Sequence, residues 1–227
     1  WLRLGRRTWP AVIDMAGLNL RYVREEDNEF VIGAMATQGD VERFEPLQQF
    51  CGGAVVRGIK EILGVQFRNM ATMGGSVASK FGFSDIIPAL LAVHADIVTY
   101  KGGRMSMQEY MNYREKDILV EIRIPNHETP VAIEALRISR GDFPYLTGSI
   151  RHDDTGYEIY IGTRPGAPQL AVNASALLSE KGLAALDEVA QIASEELVYQ
   201  KNSHASKEYR MEMAKAMVRR LVKEVAQ

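Results

Sequence analysis

The sequence is poor in cysteine and has no long apolar run. Cys51 is the single cysteine among 227 residues, which excludes an internal disulfide and an iron–sulfur cluster held by cysteines of this chain alone. No apolar stretch approaches the ~20 residues that a membrane-spanning helix needs. No secretory signal is visible either. The sequence therefore predicts a cytoplasmic protein with no membrane span.

Charge of one sign and catalytic motifs are also scarce. The 27 basic and 29 acidic residues give a formal net charge of -2, so no nucleic-acid partner is predicted. The four histidines are scattered and lack metal-ligand spacing. Neither a G-x-S-x-G nucleophile motif nor a phosphate-binding P-loop is present. This pattern is typical of a protein whose cofactor performs the chemistry.

A pair of glycines beside hydroxyl groups is the most informative local feature. Gly74 and Gly75 would let the backbone approach a ligand closely, and Thr72 and Ser76 flank them with hydroxyls. Asp85, nine residues after Ser76, could accept hydrogen bonds from a ribose-like diol. A tight turn without a ligand would use the same residues, and Asp85 could simply cap the following helix.

A longer resemblance favours the ligand-binding interpretation. The segment 65–91, VQFRNMATMGGSVASKFGFSDIIPALL, resembles the second flavin-binding segment of the FAD-binding (medium) subunit of the molybdenum hydroxylase family. This family includes the flavoproteins of xanthine dehydrogenase and carbon monoxide dehydrogenase. The chain departs from the family pattern at Phe67 and Ser76. The segment 117–125 and the Glu208-Tyr209-Arg210 motif resemble the strand that closes the FAD domain and the last helix, so the resemblance covers nearly the whole chain.

The resemblance implies an FAD site. It assigns the flavin pyrophosphate to a nest of backbone N–H groups and hydroxyls over 72–76, and a ribose or adenosine hydroxyl to Asp85. It places Leu119 near the isoalloxazine ring and Arg137 where the family often has a lysine. Arg68 either brings charge to the site or fixes the loop through a salt bridge. The candidate cofactor-binding residues are Arg68, Asn69, Ala71, Thr72, Gly74, Gly75, Ser76, Ser84, Asp85, Leu119 and Arg137; no catalytic or metal-binding residue is predicted.

The same resemblance implies an α+β fold in two parts. A two-part FAD-binding domain of the vanillyl-alcohol-oxidase-like type is expected over 1–126. A small C-terminal flavoprotein domain of a three-stranded antiparallel sheet and helices is expected over 127–227, after a polar loop. The first pyrophosphate-binding loop of the family would lie before Trp1, so we expect that the natural N-terminus is missing from this sequence.

Local patterns predict most of the secondary structure. Strands are predicted at 11–14, 18–23 and 30–33, helices at 40–50 with Asp40 as the N-cap and at 51–63, a helix at 85–91, and a hairpin around 101–104. After residue 126 the patterns predict strands at 131–138, 145–151 and 157–164, then two helices.

The function implied by the resemblance is electron transfer. The flavoprotein would pass electrons from iron–sulfur clusters of a partner subunit through FAD to NAD or another acceptor, with molybdopterin on a further partner subunit. Two alternatives stay open. One is a flavin-free assembly subunit that retains the fold, and the other is a stand-alone FAD oxidoreductase.

Overall fold

The structure, a computed structural model, describes residues 4–6 and 8–226, which form two antiparallel sheets with helices packed against them. The strands of the first sheet are β1 (Val23–Glu26), β2 (Glu29–Gly33), β3 (Asp96–Thr99), β4 (Gly103–Ser106) and β5 (Leu119–Pro125), in the spatial order β1-β2-β5-β3-β4. The strands of the second sheet are β6 (Val131–Leu136), β7 (Leu146–Asp153), β8 (Gly156–Gly162) and β9 (Gln169–Leu170), in the order β6-β7-β8-β9.

The helices also divide between two parts of the chain. We call the part that contains the first sheet the first part, and the part that contains the second sheet the second part. Those of the first part are α1 (Gln38–Arg43), α2 (Glu45–Lys60), α3 (Val65–Arg68), α4 (Met73–Ala78), α5 (Ile86–Ala92) and α6 (Met107–Asn112). Those of the second part are α7 (Val172–Lys181), α8 (Leu186–Glu195) and α9 (Lys207–Val225). Short 3-10 helices lie at Ala16–Leu18 and Gly182–Ala185. No described helix is long and apolar enough to cross a bilayer.

The first sheet has one apolar face and one charged face. Phe30, Ile32 and Ile122 point into the core beneath the helices, as the period of two along a strand requires. On the opposite face Arg123 binds Glu29 at 3.0 Å and Glu121 at 2.9 Å, and Arg104 bonds to Glu29 as well. These ion pairs, which run along β5 and across from β4 and β5 to β2, cover the face opposite the core.

Several sequence-based expectations for the first part are wrong. The segment 11–14 is not a strand, and the segment 18–23 contains only the end of a 3-10 helix and the first residue of β1. The first helix begins at Gln38, with Thr37 as its N-cap and Asp40 as the reciprocal partner in a capping box. By contrast, the boundary expected between helices at 40–50 and 51–63 coincides with an interruption of α2, where Cys51, Gly52 and Gly53 adopt positive φ, which glycine accepts readily.

The second sheet has four strands in the described residues, and the expectation of three is wrong. β9 contains only two residues, which is too short for a pattern of alternating polarity to show. The helix α7 was also missing from the prediction. It is held to β8 by Ser175, whose Oγ accepts the N–H of Ile159 at 2.9 Å.

The helix α9 lies close to the second sheet and buries a charge there. A Cβ at Gly148 in β7 would lie 2.5 Å from Met217 Sδ, so the glycine permits the close approach. Arg210 is fully buried, and its guanidinium donates to the carbonyl oxygens of Tyr145 and Thr163. It also bonds to the Asn202 amide oxygen. No carboxylate among the described residues pairs with Arg210, so its charge is held by neutral acceptors that join a helix, a strand end and two loops.

We predict that Arg210→Met destabilises the protein by about 2–4 kcal/mol, because buried acceptors lose their donor while the side-chain volume is nearly kept. Urea denaturation measures the change. The matched control is Arg219→Met on the same helix, which breaks an exposed pair with Asp187 and should cost less than about 1 kcal/mol. Equal decreases in the free energy of unfolding for the two variants would show that the hydrogen bonds of Arg210 do not stabilise the fold more than an exposed ion pair does.

The two parts of the chain meet along a hydrogen-bonded seam. Ser149 Oγ in β7 donates to the Pro88 carbonyl at 2.7 Å, and Thr163 Oγ1 donates to the Gly82 carbonyl at 2.9 Å. At one edge His94 lies 2.6 Å from Glu158. The seam places the loop before α5 against loops of the second part, and a large cleft opens beside it. The division of the chain into folding units after residue 126 stays a prediction.

Candidate functional site

A cleft of about 590 Å³ opens where the first turn of α4, the loop before α5 and the loop after β6 come together. This volume lies within the usual range for small-molecule sites. Its lining contains both polar and apolar residues. The polar lining residues used below are Gln38, Thr72, Gly75, Ser76, Ser84, Asp85 and Arg137, and the apolar ones are Leu63, Phe67, Phe81, Phe83 and Phe143.

The cleft brings together many of the residues singled out in the sequence. Seven candidates line it: Ala71, Thr72, Gly75, Ser76, Ser84, Asp85 and Arg137. Gly74 lies directly behind them, buried against β2, where an added Cβ would lie 2.6 Å from the Ala34 carbonyl oxygen. The glycine pair therefore has two different functions in the fold. Gly74 permits packing on the sheet, and Gly75 faces the cleft.

Three candidates do not reach the cleft. Arg68 is buried, pairs with Glu42 at 2.8 Å and donates to the carbonyls of Ile62 and Leu63, so it fixes a loop through a salt bridge. Asn69 is exposed and accepts from Arg43 at 3.0 Å. Leu119 is buried in the core of the first part. None of the three is among the lining residues.

The backbone amides of 73–76 are not the free nest that the sequence predicts. The segment forms the first turn of α4, and each of these amides already has an acceptor in the protein. Met73 and Gly74 donate to the carbonyls of Ala36 and Ala34, while Gly75 and Ser76 donate to the hydroxyl and the carbonyl of Thr72. Antiparallel pairing around Thr37 and Thr72 fixes this arrangement. Within the described residues, the Thr72 amide is the one in this turn that has no acceptor.

A buried ion pair forms one wall of the cleft. Arg137 on the second part binds Asp85 at the start of α5, and both side chains are more than nine-tenths buried. Ser84 Oγ accepts the N–H of Ile87 at 3.2 Å, so Ser84 supplies the side-chain cap that α5 needs. The Asp85 side chain makes no capping hydrogen bond to α5 and can face Arg137 instead. Burial raises the pKa of Asp85 to about 6, and the Arg137 guanidinium opposes that rise.

Asp85 also borders a second cavity. This cavity, of about 370 Å³, is lined by residues of both parts and shares Glu61 and Asp85 with the larger cleft. Glu61 and Asp85 therefore stand where the two cavities adjoin.

The raised pKa predicts how stability depends on pH. A carboxyl whose pKa is about 6 in the folded state and 3.8 unfolded contributes stability that is complete below pH ~4 and is lost as the pH rises through 6. The free energy of unfolding of the wild type, relative to Asp85→Asn, should therefore fall by about 2–3 kcal/mol between pH 4 and 7.

Denaturant unfolding at several pH values measures this difference. The control Asp154→Asn alters an exposed carboxyl in the β7–β8 turn, and its difference from the wild type should stay constant over the same range. If the free energy of unfolding of the wild type instead rose relative to that of Asp85→Asn with increasing pH, the ion pair would stabilise the Asp85 carboxylate more than burial destabilises it.

Sequence reasoning missed two groups of cleft residues. Gln38 is buried, and its Nε2 donates to Ser76 Oγ at 3.0 Å, while its Oε1 has no hydrogen-bond partner among the described residues. The capping pattern from Thr37 to Asp40 could have indicated that Gln38 begins a helix. The phenylalanines at 81, 83 and 143 were also missed. Phe81 and Phe83 lie two residues apart, but Phe143 joins them only in the folded chain, 60 residues after Phe83.

Solved structures define the class of fold. Quinoline 2-oxidoreductase from Pseudomonas putida 86 matches with a TM-score of 0.82 at 19% identity, covering 92% of this chain and 78% of that chain. Carbon monoxide dehydrogenase from Hydrogenophaga pseudoflava matches with a TM-score of 0.81 at 25% identity, covering 91% and 78%. The fold is that of a chain found in these oxidoreductases.

Family profiles and sequence relatives define the family. The profile described as "FAD binding domain in molybdopterin dehydrogenase" matches residues 1–127, and "CO dehydrogenase flavoprotein C-terminal domain" matches residues 133–225. The chain belongs to this family of molybdopterin dehydrogenase FAD-binding proteins, which confirms the resemblance.

Two curated relatives are similar over part of their length. The carbon monoxide dehydrogenase medium chain of Hydrogenophaga pseudoflava is 31% identical over 135 residues, covering 55% of this chain and 47% of the relative. The uncharacterized protein YgfM of Escherichia coli K12 is 26% identical over 144 residues, covering 63% and 53%. The chain thus spans about half the length of the curated relatives it matches.

Proposed function

We propose that this protein is the FAD-binding electron-transfer subunit of a molybdenum hydroxylase. The observation that carries the proposal is the cleft, since it gathers six residues of the flavin-binding segment together with Arg137 in a chain of the FAD-binding family. A bound FAD would supply the redox chemistry, taking electrons from iron–sulfur clusters of a partner subunit and giving them to NAD or another acceptor.

Polar groups in the cleft fit the hydroxyl-rich part of FAD. The Oε1 atom of Gln38 is a buried acceptor that has no donor in the described protein, and ribityl or ribose hydroxyls are donors. The Thr72 amide and hydroxyl can both donate toward a phosphate or a hydroxyl, because the hydroxyl oxygen uses only its acceptor capacity to cap Gly75. An unpaired acceptor beside unpaired donors fits a ligand of mixed character, as FAD is.

The residues of the cleft have different roles in this proposal. Thr72 would donate to the phosphate and ribityl region, and Gly75 would let that region approach the backbone because it has no Cβ. Ser76 Oγ, which donates to the Thr72 carbonyl at 2.9 Å and accepts from Gln38 Nε2, would hold Gln38 in place. Asp85 would accept from a ligand hydroxyl or N–H group. Arg137 would place a positive charge near the ring, and it is fixed there by Asp85 and by the Asp142 carbonyl, to which its Nε donates at 3.1 Å.

The partners in this proposal follow from the family and from the composition. A relative in sequence is the medium chain of carbon monoxide dehydrogenase, which favours a complex of several chains. The sequence has one cysteine, so the iron–sulfur clusters belong on an iron–sulfur subunit and the molybdopterin on another subunit. We also propose a vanillyl-alcohol-oxidase-like type for the flavin domain and a cytoplasmic location.

We predict that the purified protein, titrated with FAD, gives the visible absorption of a bound flavin. Gly75→Val should weaken FAD binding about tenfold or more, because it puts a branched side chain into the cleft next to the Thr72 hydroxyl. The control Gly17→Val adds the same side chain at an exposed position with nothing within 4 Å of the new Cβ, and it should leave FAD binding unchanged.

The outcomes separate the proposal from its alternatives. If the folded wild type does not bind added FAD, the alternative of a flavin-free assembly subunit is supported. Steady turnover of an organic substrate by the isolated flavoprotein would support a stand-alone FAD oxidoreductase. Full activity of a preparation that lacks both partner subunits would contradict the electron-transfer role.

A further inference from the structure

Three phenylalanines that line the cleft form a continuous aromatic surface, which we name the aromatic shelf: Phe81, Phe83 and Phe143. The rings of Phe81 and Phe83 are stacked, with centroids 4.8 Å apart and planes 14° apart. The ring of Phe143 lies 4.4 Å from that of Phe83 at 46°. Phe81 is 53% exposed and Phe143 is 58% exposed, although all three line the cleft. Apolar surface of this kind marks binding sites.

The shelf is held in place from both parts of the chain. Gly82, between the first two phenylalanines, accepts a hydrogen bond from Thr163 Oγ1 at 2.9 Å, and a Cβ there would lie 2.9 Å from the Gly166 carbonyl carbon. Lys80, just before the shelf, donates to the carbonyls of Tyr110 and Tyr113. The loop is therefore fixed on either side of Phe81, and the exposed rings are ordered before any ligand arrives.

A charged pair stands beside the shelf and has unused bonding capacity. Arg137 uses Nη2 for Asp85 Oδ1 and Nε for the Asp142 carbonyl, and Asp142 directly precedes Phe143. Within the described residues, Asp85 Oδ2 and Arg137 Nη1 take part in no hydrogen bond. A planar apolar surface thus lies next to one strong acceptor and one strong donor.

This combination matches one part of FAD. The isoalloxazine ring is planar and apolar at one end, and its pyrimidine end carries an N–H group and two carbonyls. A nearby arginine also favours a ring that gains negative charge on reduction, which adenine does not. We infer that the aromatic shelf is the stacking platform of the isoalloxazine ring, with Arg137 and Asp85 at its pyrimidine edge.

This inference rests on the proposed function and adds that both parts of the chain contact the ring. Phe81, Phe83 and Asp85 come from the first part, and Arg137 and Phe143 from the second. The ring environment is then built across the seam, so the second part takes part in flavin binding directly.

The test compares the affinities of FAD and ADP in variants of the purified protein. Phe83→Leu and Phe143→Leu should each weaken FAD binding about twofold to tenfold, because an aromatic stacking partner is lost. Binding of ADP, which lacks the isoalloxazine ring, should not change. The control Tyr100→Leu removes an aromatic ring that is 76% exposed in the turn after β3, and it should affect neither ligand.

The possible results are distinct. Weaker ADP binding in the same proportion as FAD would place adenine on the shelf and overturn the inference. Unchanged FAD affinity in both variants, with FAD still bound, would also overturn it but leave the proposed function standing. A wild type that binds no FAD would overturn both. Thermal melts show whether the variants fold, and Phe81→Leu replaces any variant that does not, since Phe81 is more than half exposed.

Discussion

The buried pair of Asp85 and Arg137 is the interaction on which the site depends. It joins the start of α5 to the end of β6 in the second part. Both residues line the larger cleft, and Asp85 also lines the second cavity. Burying two charges is costly unless each has its partner and further hydrogen bonds. Here Arg137 has the Asp142 carbonyl as well, while Ser84 caps the helix so that Asp85 can face Arg137. The relative position of the two parts and the polarity of the cleft are thus set together.

Recognition in this cleft relies on side chains more than on backbone. The first turn of α4 uses its amides to attach itself to the end of β2, so the turn is rigid but offers few free N–H groups. Thr72, Gln38 and Arg137 supply the polar contacts that remain, and the phenylalanines supply the apolar ones. A site with preordered side chains loses little conformational entropy when a ligand binds.

Short-range signals in the sequence predicted the structure better than long-range ones. The helix at 85–91 and the hairpin at 101–104 match α5 and the β3–β4 turn, since proline in a first turn and a glycine pair in a tight turn act locally. The interruption of α2 falls at the expected helix boundary of 50/51, but the hydrogen bond from the Cys51 N–H to the Glu128 carboxylate, at 3.1 Å, is a contact that no local pattern contains. The cleft shows the same limit. The family resemblance predicted the segments Thr72–Ser76 and Ser84–Asp85 as parts of the site. Gln38 and the three phenylalanines join these segments in the cleft only when the chain folds.

Three hydrogen bonds across the seam between the two parts end on backbone carbonyls. Ser149 donates to Pro88, Thr163 donates to Gly82, and Arg57 Nη2 donates to Ile133. A carbonyl oxygen is present whatever side chain its residue carries, so half of each of these contacts is independent of residue identity. A substitution at Pro88 or Ile133 that leaves the backbone in place therefore keeps the acceptor, whereas each charged pair of the seam, such as Arg57–Glu224, needs two particular side chains.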